Sequence, residues 1–147
     1  MLNFVVYGKA EPKGSARAFV PKGWQRAIVT SDNPKNKGWQ QLVAEAASQA
    51  IGTQPAFRLI DGPVLLRVVF YLPRPKAIKD KAVPHLKKPD LDKLCRSCKD
   101  AMSKVVWQDD SMVVEIAARK EYARPGEAPR AEISISELGQ LSIQKAG

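Results

Sequence analysis

A chain of 147 residues, 44% hydrophobic and 27% charged, is long enough to bury one core without a disulfide or a structural metal, so we expect a single domain over residues 1–147. No apolar run approaches the roughly 18 residues that a membrane span needs, and MLNFVVYGKAEPKG lacks the basic start of a secretory signal, so the expected location is the cytoplasm, with no membrane partner. The net charge of +9 is uneven: residues 1–89 hold 15 Lys/Arg against 5 Asp/Glu, while residues 90–147 hold 9 against 10, a balance that favours a polyanionic partner such as nucleic acid.

LNFVVY, residues 2–7, reads as a first strand. The segment that follows is punctuated by Pro12, Gly14, Pro21 and Gly23 and reads as a loop with one irregular hairpin. Arg17, Lys22 and Arg26 interleave there with Phe19 and Trp24, a pattern that can grip phosphates and stack on bases. A helix is expected from about Asn33-Pro34 to Gly52, its apolar stripe formed by Trp39, Leu42, Val43, Ala46, Ala47, Ala50 and Ile51. VLLRVVFYL, residues 64–72, reads as a buried strand.

Residues 73–89 hold four prolines and six Lys/Arg (Arg74, Lys76, Lys79, Lys81, Lys87 and Lys88) against one acid, Asp80, and read as a long basic loop. A second amphipathic helix follows, with Leu91, Leu94, Cys95, Cys98, Ala101, Met102 and Val105 on its apolar side. Cys95 and Cys98 form a C-x-x-C, but zinc needs about four ligands and the chain offers one histidine, His85, and no further cysteine, so both cysteines read as small core residues. His85 itself reads as a loop histidine. Strands at 112–122 and 131–138 complete a β-α-β-α-β-β order, which implies an α/β or α+β domain with two helices on one mixed sheet, and 139–147 reads as a frayed tail.

The acidic residues carry the chemistry. Asp90 follows Pro89 and can cap the second helix, Asp92 then suits the positive end of its dipole, and Arg96 stands four residues from both Asp92 and Asp100. Asp109 and Asp110 form an adjacent pair between helix and strand, where turn chemistry accounts for one aspartate more readily than two. Asp90, Asp92 and Asp110 together offer hard oxygen ligands that suit Mg²⁺, with Mn²⁺ as a substitute. A helix from Leu91 to Val105 would run about 22 Å, whereas five extended residues return only about 17 Å. Either the helix ends early and folds back, or Asp110 completes a site whose Asp90 and Asp92 belong to another copy.

KPDLDKL, the helix ending in DAM, and VWQDDSMVVE resemble the RusA family of Holliday-junction resolvases, small enzymes common in phages and prophages. The resemblance is most specific from Lys88 to Glu115. It implies a homodimer that binds four-way DNA junctions and makes paired Mg²⁺-dependent nicks in recombination and repair, without an organic cofactor. It also implies metal-binding roles for Asp90, Asp92 and Asp110, places the family's basic catalytic residue on Arg96, and matches Asp100 to the helix aspartate. Two positions depart from the family pattern: Lys93 replaces an asparagine, and Arg96 replaces a lysine, exchanging a compact charge for a planar fork that does not give up a proton. Candidate DNA contacts are Arg17, Lys22, Arg26, Lys76, Lys79, Lys81, Lys87 and Lys88. The competing classes are a noncatalytic DNA-binding protein and a structural protein whose acids are only caps and turns. Pure DNA binding gives no reason to keep three carboxylates that repel the ligand.

Overall fold

Alternation of side chains along the strands sets the core. In the computed structural model, which describes residues 1–14, 16–19, 23, 28–31, 35–80 and 82–138, the first strand, β1 (Leu2–Tyr7), buries Leu2 and Val6 and turns Val5 and Tyr7 outward. The loop holds a hairpin, β2 (Ala16–Phe19) paired antiparallel with β3 (Ile28–Ser31). Arg17 falls in β2, whereas Lys22, Trp24, Arg26, Lys81 and the tail 139–147 lie outside the described residues, as does the expected helix start at Asn33-Pro34.

Helix α1 (Asn36–Gly52) buries Asn36, Trp39, Val43 and Ala47, a row at three- and four-residue spacing. Leu42, expected in that stripe, is 43% exposed because it stands at the margin of the row. There it lies over Gly8, whose φ of +139° few other residues adopt and whose missing Cβ would meet Leu42 Cδ1 at 3.3 Å.

Strand β4 (Val64–Leu72) buries every even-numbered residue against the helices. Helix α2 (Leu91–Met102), strand β5 (Val113–Tyr122) and strand β6 (Arg130–Glu137) follow. The sheet order is β1-β6-β4-β5, with β6 antiparallel to both β1 and β4, and β4 parallel to β5. Strands β1, β4 and β5 therefore share one direction, and the loops that leave their carboxyl ends lie at one end of the sheet. One core joins Trp39 and Val43 of α1, Leu94 and Cys98 of α2, and Leu66, Val68, Phe70, Ile133 and Ile135 of the sheet. Ser97 Oγ donates to Asn36 Oδ1 and Gln40 Nε2 donates to the Ser97 carbonyl at 3.1 Å, so the α1–α2 interface has a satisfied polar centre. Among the described residues no helix is long and apolar enough to cross a membrane.

The second helix ends at Met102, three residues short of the expected Val105. Lys104 adopts a positive φ of 65°, and Val105 and Val106 both donate to the Met102 carbonyl, at 3.0 and 2.9 Å. The chain thus turns sharply while Val106 and Trp107 stay in the core. Cys95 and Cys98 are free thiols on the buried side of α2, and burial pushes Cys98 up to about 12, so it remains a protonated core residue at neutral pH.

Candidate active site

Asp90 is the N-cap residue of α2, with extended backbone and its carbonyl accepting from Leu94 N at 3.1 Å. Its side chain makes no cap hydrogen bond, so the capping explanation of this carboxylate does not hold. Asp90 and Asp92 are both exposed on the first turn. The chain entering the helix is fixed from β5: Lys120 Nζ donates to the Lys87 carbonyl at 2.7 Å and to the Pro89 carbonyl at 2.9 Å.

A cleft of about 470 Å³ opens beside Asp90, lined by Lys9, Glu11, Lys13, Lys88 and Lys93 among others. Of its lysines, only Lys88 is a DNA-contact candidate on sequence grounds; Lys9, Lys13 and Lys93 emerge from the fold. Lys13 crosses α2, its backbone N–H donating to the Lys93 carbonyl at 3.1 Å and its Nζ meeting Asp100 Oδ2 at 2.6 Å. Asp100 is therefore paired across the fold with Lys13, and Arg96 is exposed and takes part in none of the ion pairs among the described residues. No signal within residues 8–14 marks that segment as part of a site, because its partner lies some eighty positions further along the chain.

The adjacent aspartates divide their work. Asp109 is the turn residue: its Oδ2 accepts from Ser111 N at 3.0 Å and Ser111 Oγ at 2.5 Å, and the Ser111 hydroxyl holds its carboxyl below the usual carboxylate range. Asp110 is half-buried, and its Oδ1 accepts from the indole Nε1 of Trp107 at 3.0 Å. Trp107 is fully buried and its backbone is locked, with Lys104 N donating to its carbonyl at 2.7 Å and Ile60 bonded to both neighbours, Val106 and Gln108.

Asp110 is far from Asp90 within one chain. Asp90 adjoins Lys120 near the carboxyl end of β5, whereas Asp110 sits three residues before Val113 at the opposite end. The seven residues from Val113 to Lys120 span about 23 Å of strand. In agreement, no group of three or more His, Cys, Asp or Glu among the described residues is placed to hold a metal ion together. Early termination of α2 does not rescue a site within one chain, because the turn delivers Asp110 to the far end.

Of the basic loop, Lys76, Lys79, Lys87 and Lys88 are exposed, while Arg74 is tied down by its Nε on the Ala123 carbonyl at 2.7 Å and its Nη1 on the Ile78 and Asp80 carbonyls. His85, expected to be an ordinary loop residue, is instead buried and packs on Tyr122 with ring centroids 4.4 Å apart. Burial, then the nearby Lys120 and Lys87 charges, lower its pKa from the ordinary value. A histidine depressed in the folded state costs stability as pH falls below its unfolded value of about 6.5, where only the unfolded chain binds the proton. The expected result is that lowering pH from 7.5 to 5.5 reduces the Tm of the wild type more than that of His85→Gln, measured by thermal unfolding of both.

A family model described as endodeoxyribonuclease RusA matches residues 9–136. The chain is also 34% identical over 147 residues to an uncharacterised protein of Bacillus subtilis, YqaN, with 93% of this chain and 96% of that one covered.

Proposed function

Because the chain belongs to the RusA endodeoxyribonuclease family, we propose that it is a Mg²⁺-dependent endonuclease that resolves four-way DNA junctions as a homodimer. The observation that carries this reading is the lysine-lined cleft opening on Asp90: cations gather a phosphodiester beside carboxylates that are not used as caps. The residues fit a metal ion only as halves. Asp90 and Asp92 of one chain supply two carboxylates, and Asp110 of a second copy supplies the third. A two-fold axis beside the middle of β5 would set two copies of that strand antiparallel and so bring these halves together. β5 is one of the two edge strands of the sheet among the described residues, with Val114 62% and Ile116 41% exposed on its helix-facing side, apolar area that a second copy would cover.

Mg²⁺, when bound, would neutralise charge on the phosphodiester and promote attack by water. The chain's own residues do the rest. Asp90 and Asp92 create the negative charge that selects a cation, and Trp107 aims Asp110. Lys88 and Lys93 draw the DNA backbone into the cleft, and Arg96, one turn beyond Asp92, offers a planar pair of donors to a phosphate oxygen. Arg96 does not act as the acid, so the leaving oxygen takes its proton from solvent.

The test uses an end-labelled four-way junction and the matching linear duplex, with Mg²⁺ or EDTA. Symmetrical nicks on the junction in Mg²⁺ are expected, and Asp92→Asn should lose more than the 10- to 100-fold that outer-shell changes cost while still binding. Tight binding without cleavage in either Mg²⁺ or Mn²⁺ would leave a noncatalytic DNA-binding protein.

A further inference from the structure

A second cleft, of about 630 Å³, lies between the turn that follows β4 and the turn that follows β5. Its lining includes Arg74, Lys76, Lys79 and Arg124 against a single acid, Glu127. That acid is engaged: Glu127 Oε2 meets Arg130 Nη1 at 3.3 Å. Both walls are stiff. One is the turn Arg124-Pro125-Gly126-Glu127, closed by Glu127 N on the Arg124 carbonyl at 2.9 Å, with proline second and Gly126 at φ 83°, the residues a type II turn requires. The other is closed by Ile78 N on the Pro75 carbonyl at 3.0 Å, and Arg74 bridges the two walls through its bonds to Ala123, Ile78 and Asp80 while its guanidinium lies over the Tyr122 ring at 5.6 Å. The cleft shares no lining residue with the one beside Asp90, yet both sit at the end of the sheet where β1, β4 and β5 finish.

We propose that this cleft is a second DNA-backbone site, which holds a phosphodiester of a duplex arm away from the cut through Lys76, Lys79 and Arg124. The inference rests on the DNA-binding reading above and adds to it a place, a ligand group and a residue, Arg124, that lies outside the basic loop. A preformed pocket rimmed by exposed cations suits a phosphate, because little ordering of the protein is needed on binding. The shared position at the carboxyl ends of the strands means that one DNA molecule can engage both clefts.

The experiment measures binding of the four-way junction and of linear duplex, in EDTA across a range of salt, to wild type, Arg124→Gln and Lys76→Gln/Lys79→Gln/Arg124→Gln. Arg58→Gln serves as the control at a remote basic residue, since Arg58 lines a groove with Met1 and Glu137 at the opposite end of the sheet. Neutralising one phosphate-binding cation lowers the slope of log K against log salt by about 0.9. The triple variant should therefore show a slope shallower by about two to three and bind the junction on the order of tenfold or more weakly. Arg58→Gln should bind like wild type. Millimolar inorganic phosphate should leave DNA binding unchanged; competition by it would show a free-phosphate site and overturn the proposal. An unchanged slope in the triple variant, or an equal loss of affinity in Arg58→Gln, would also overturn it. Wild type that fails to bind DNA at all would instead sink the endonuclease reading.

Discussion

Mixing two inactive variants should restore nicking. Asp92→Asn and Asp110→Asn, each silent as a homodimer, form a heterodimer in which one centre carries both lesions and the other carries none, provided each centre draws Asp90 and Asp92 from one copy and Asp110 from the other. With random exchange of subunits, half the dimers are mixed and each keeps one of two centres, so about a quarter of the wild-type nicking capacity should return. The product should be singly nicked junction, since the mixed dimer cuts one strand. Complete centres within each chain predict that the mixture stays silent, because every chain then carries its own lesion. The expectation comes from the positions of Asp90, beside Lys120, and Asp110, just before Val113, since Val113 and Lys120 are about 23 Å apart along β5. A double variant, Asp92→Asn/Asp110→Asn, mixed with wild type gives the reverse pattern: shared centres leave every mixed dimer dead.

The second large effect is expected at Trp107. Its indole N–H is held 3.0 Å from Asp110 Oδ1 by a fully buried ring on a locked backbone, so it fixes the orientation of a proposed metal-binding carboxylate. Trp107→Phe keeps an aromatic ring in the core and removes only the donor and part of the ring volume. Loss of an outer-shell partner of this kind costs about 10- to 100-fold in metal affinity. Calorimetric titration with Mn²⁺ in the presence of DNA should therefore show a correspondingly weaker site, and the half-saturating Mg²⁺ for nicking should rise while the rate at saturating metal changes little. DNA binding in EDTA should not move. A merely structural role lowers Tm and leaves the metal titration where it was, which would refute Trp107 as a positioning residue.

Strands β1, β4 and β6 are legible in the sequence because alternation and unbroken apolar runs report burial directly, and their bounds differ from expectation by at most one residue. The end of α2 is not legible, for a reason visible at Val105 and Val106. The apolar stripe continues through a turn that feeds the same core, so periodicity persists after the helix has stopped. Pairing is also hidden: the residues of β5 do not show that β4 is its parallel neighbour, nor that Val114 and Ile116 stay exposed.

Within the candidate site, the chemical types of Asp90, Asp92 and Asp110 stand out in the sequence, and the family resemblance groups them. Their separation is half legible: helix length against the short return to Asp110 leaves an early fold-back or a shared site open, and the choice depends on the directions of α2 and β5. Lys9 and Lys13 escape sequence reasoning because a Pro/Gly-punctuated segment gives no sign of which distant helix it crosses. His85 reads as a loop residue because only the docking of Tyr122, near the end of β5, buries it. The Asp109–Asp110 pair is half legible: turn chemistry asks for one of them, and the bonds from Ser111 and Trp107 show which.

Strand β5 also acts as a ruler. Lys120 clamps the approach to Asp90 near one end, and Asp110 precedes the other end. In the proposed two-fold dimer, the number of residues in this one strand would set the distance between the two cuts. Lengthening it by two residues would move the centres about 7 Å further apart without altering the ligands of either. Simultaneous engagement of two strands at a branch point would then fail while isolated nicking continued, so the length of an edge strand becomes a determinant of which DNA shape is cut in pairs.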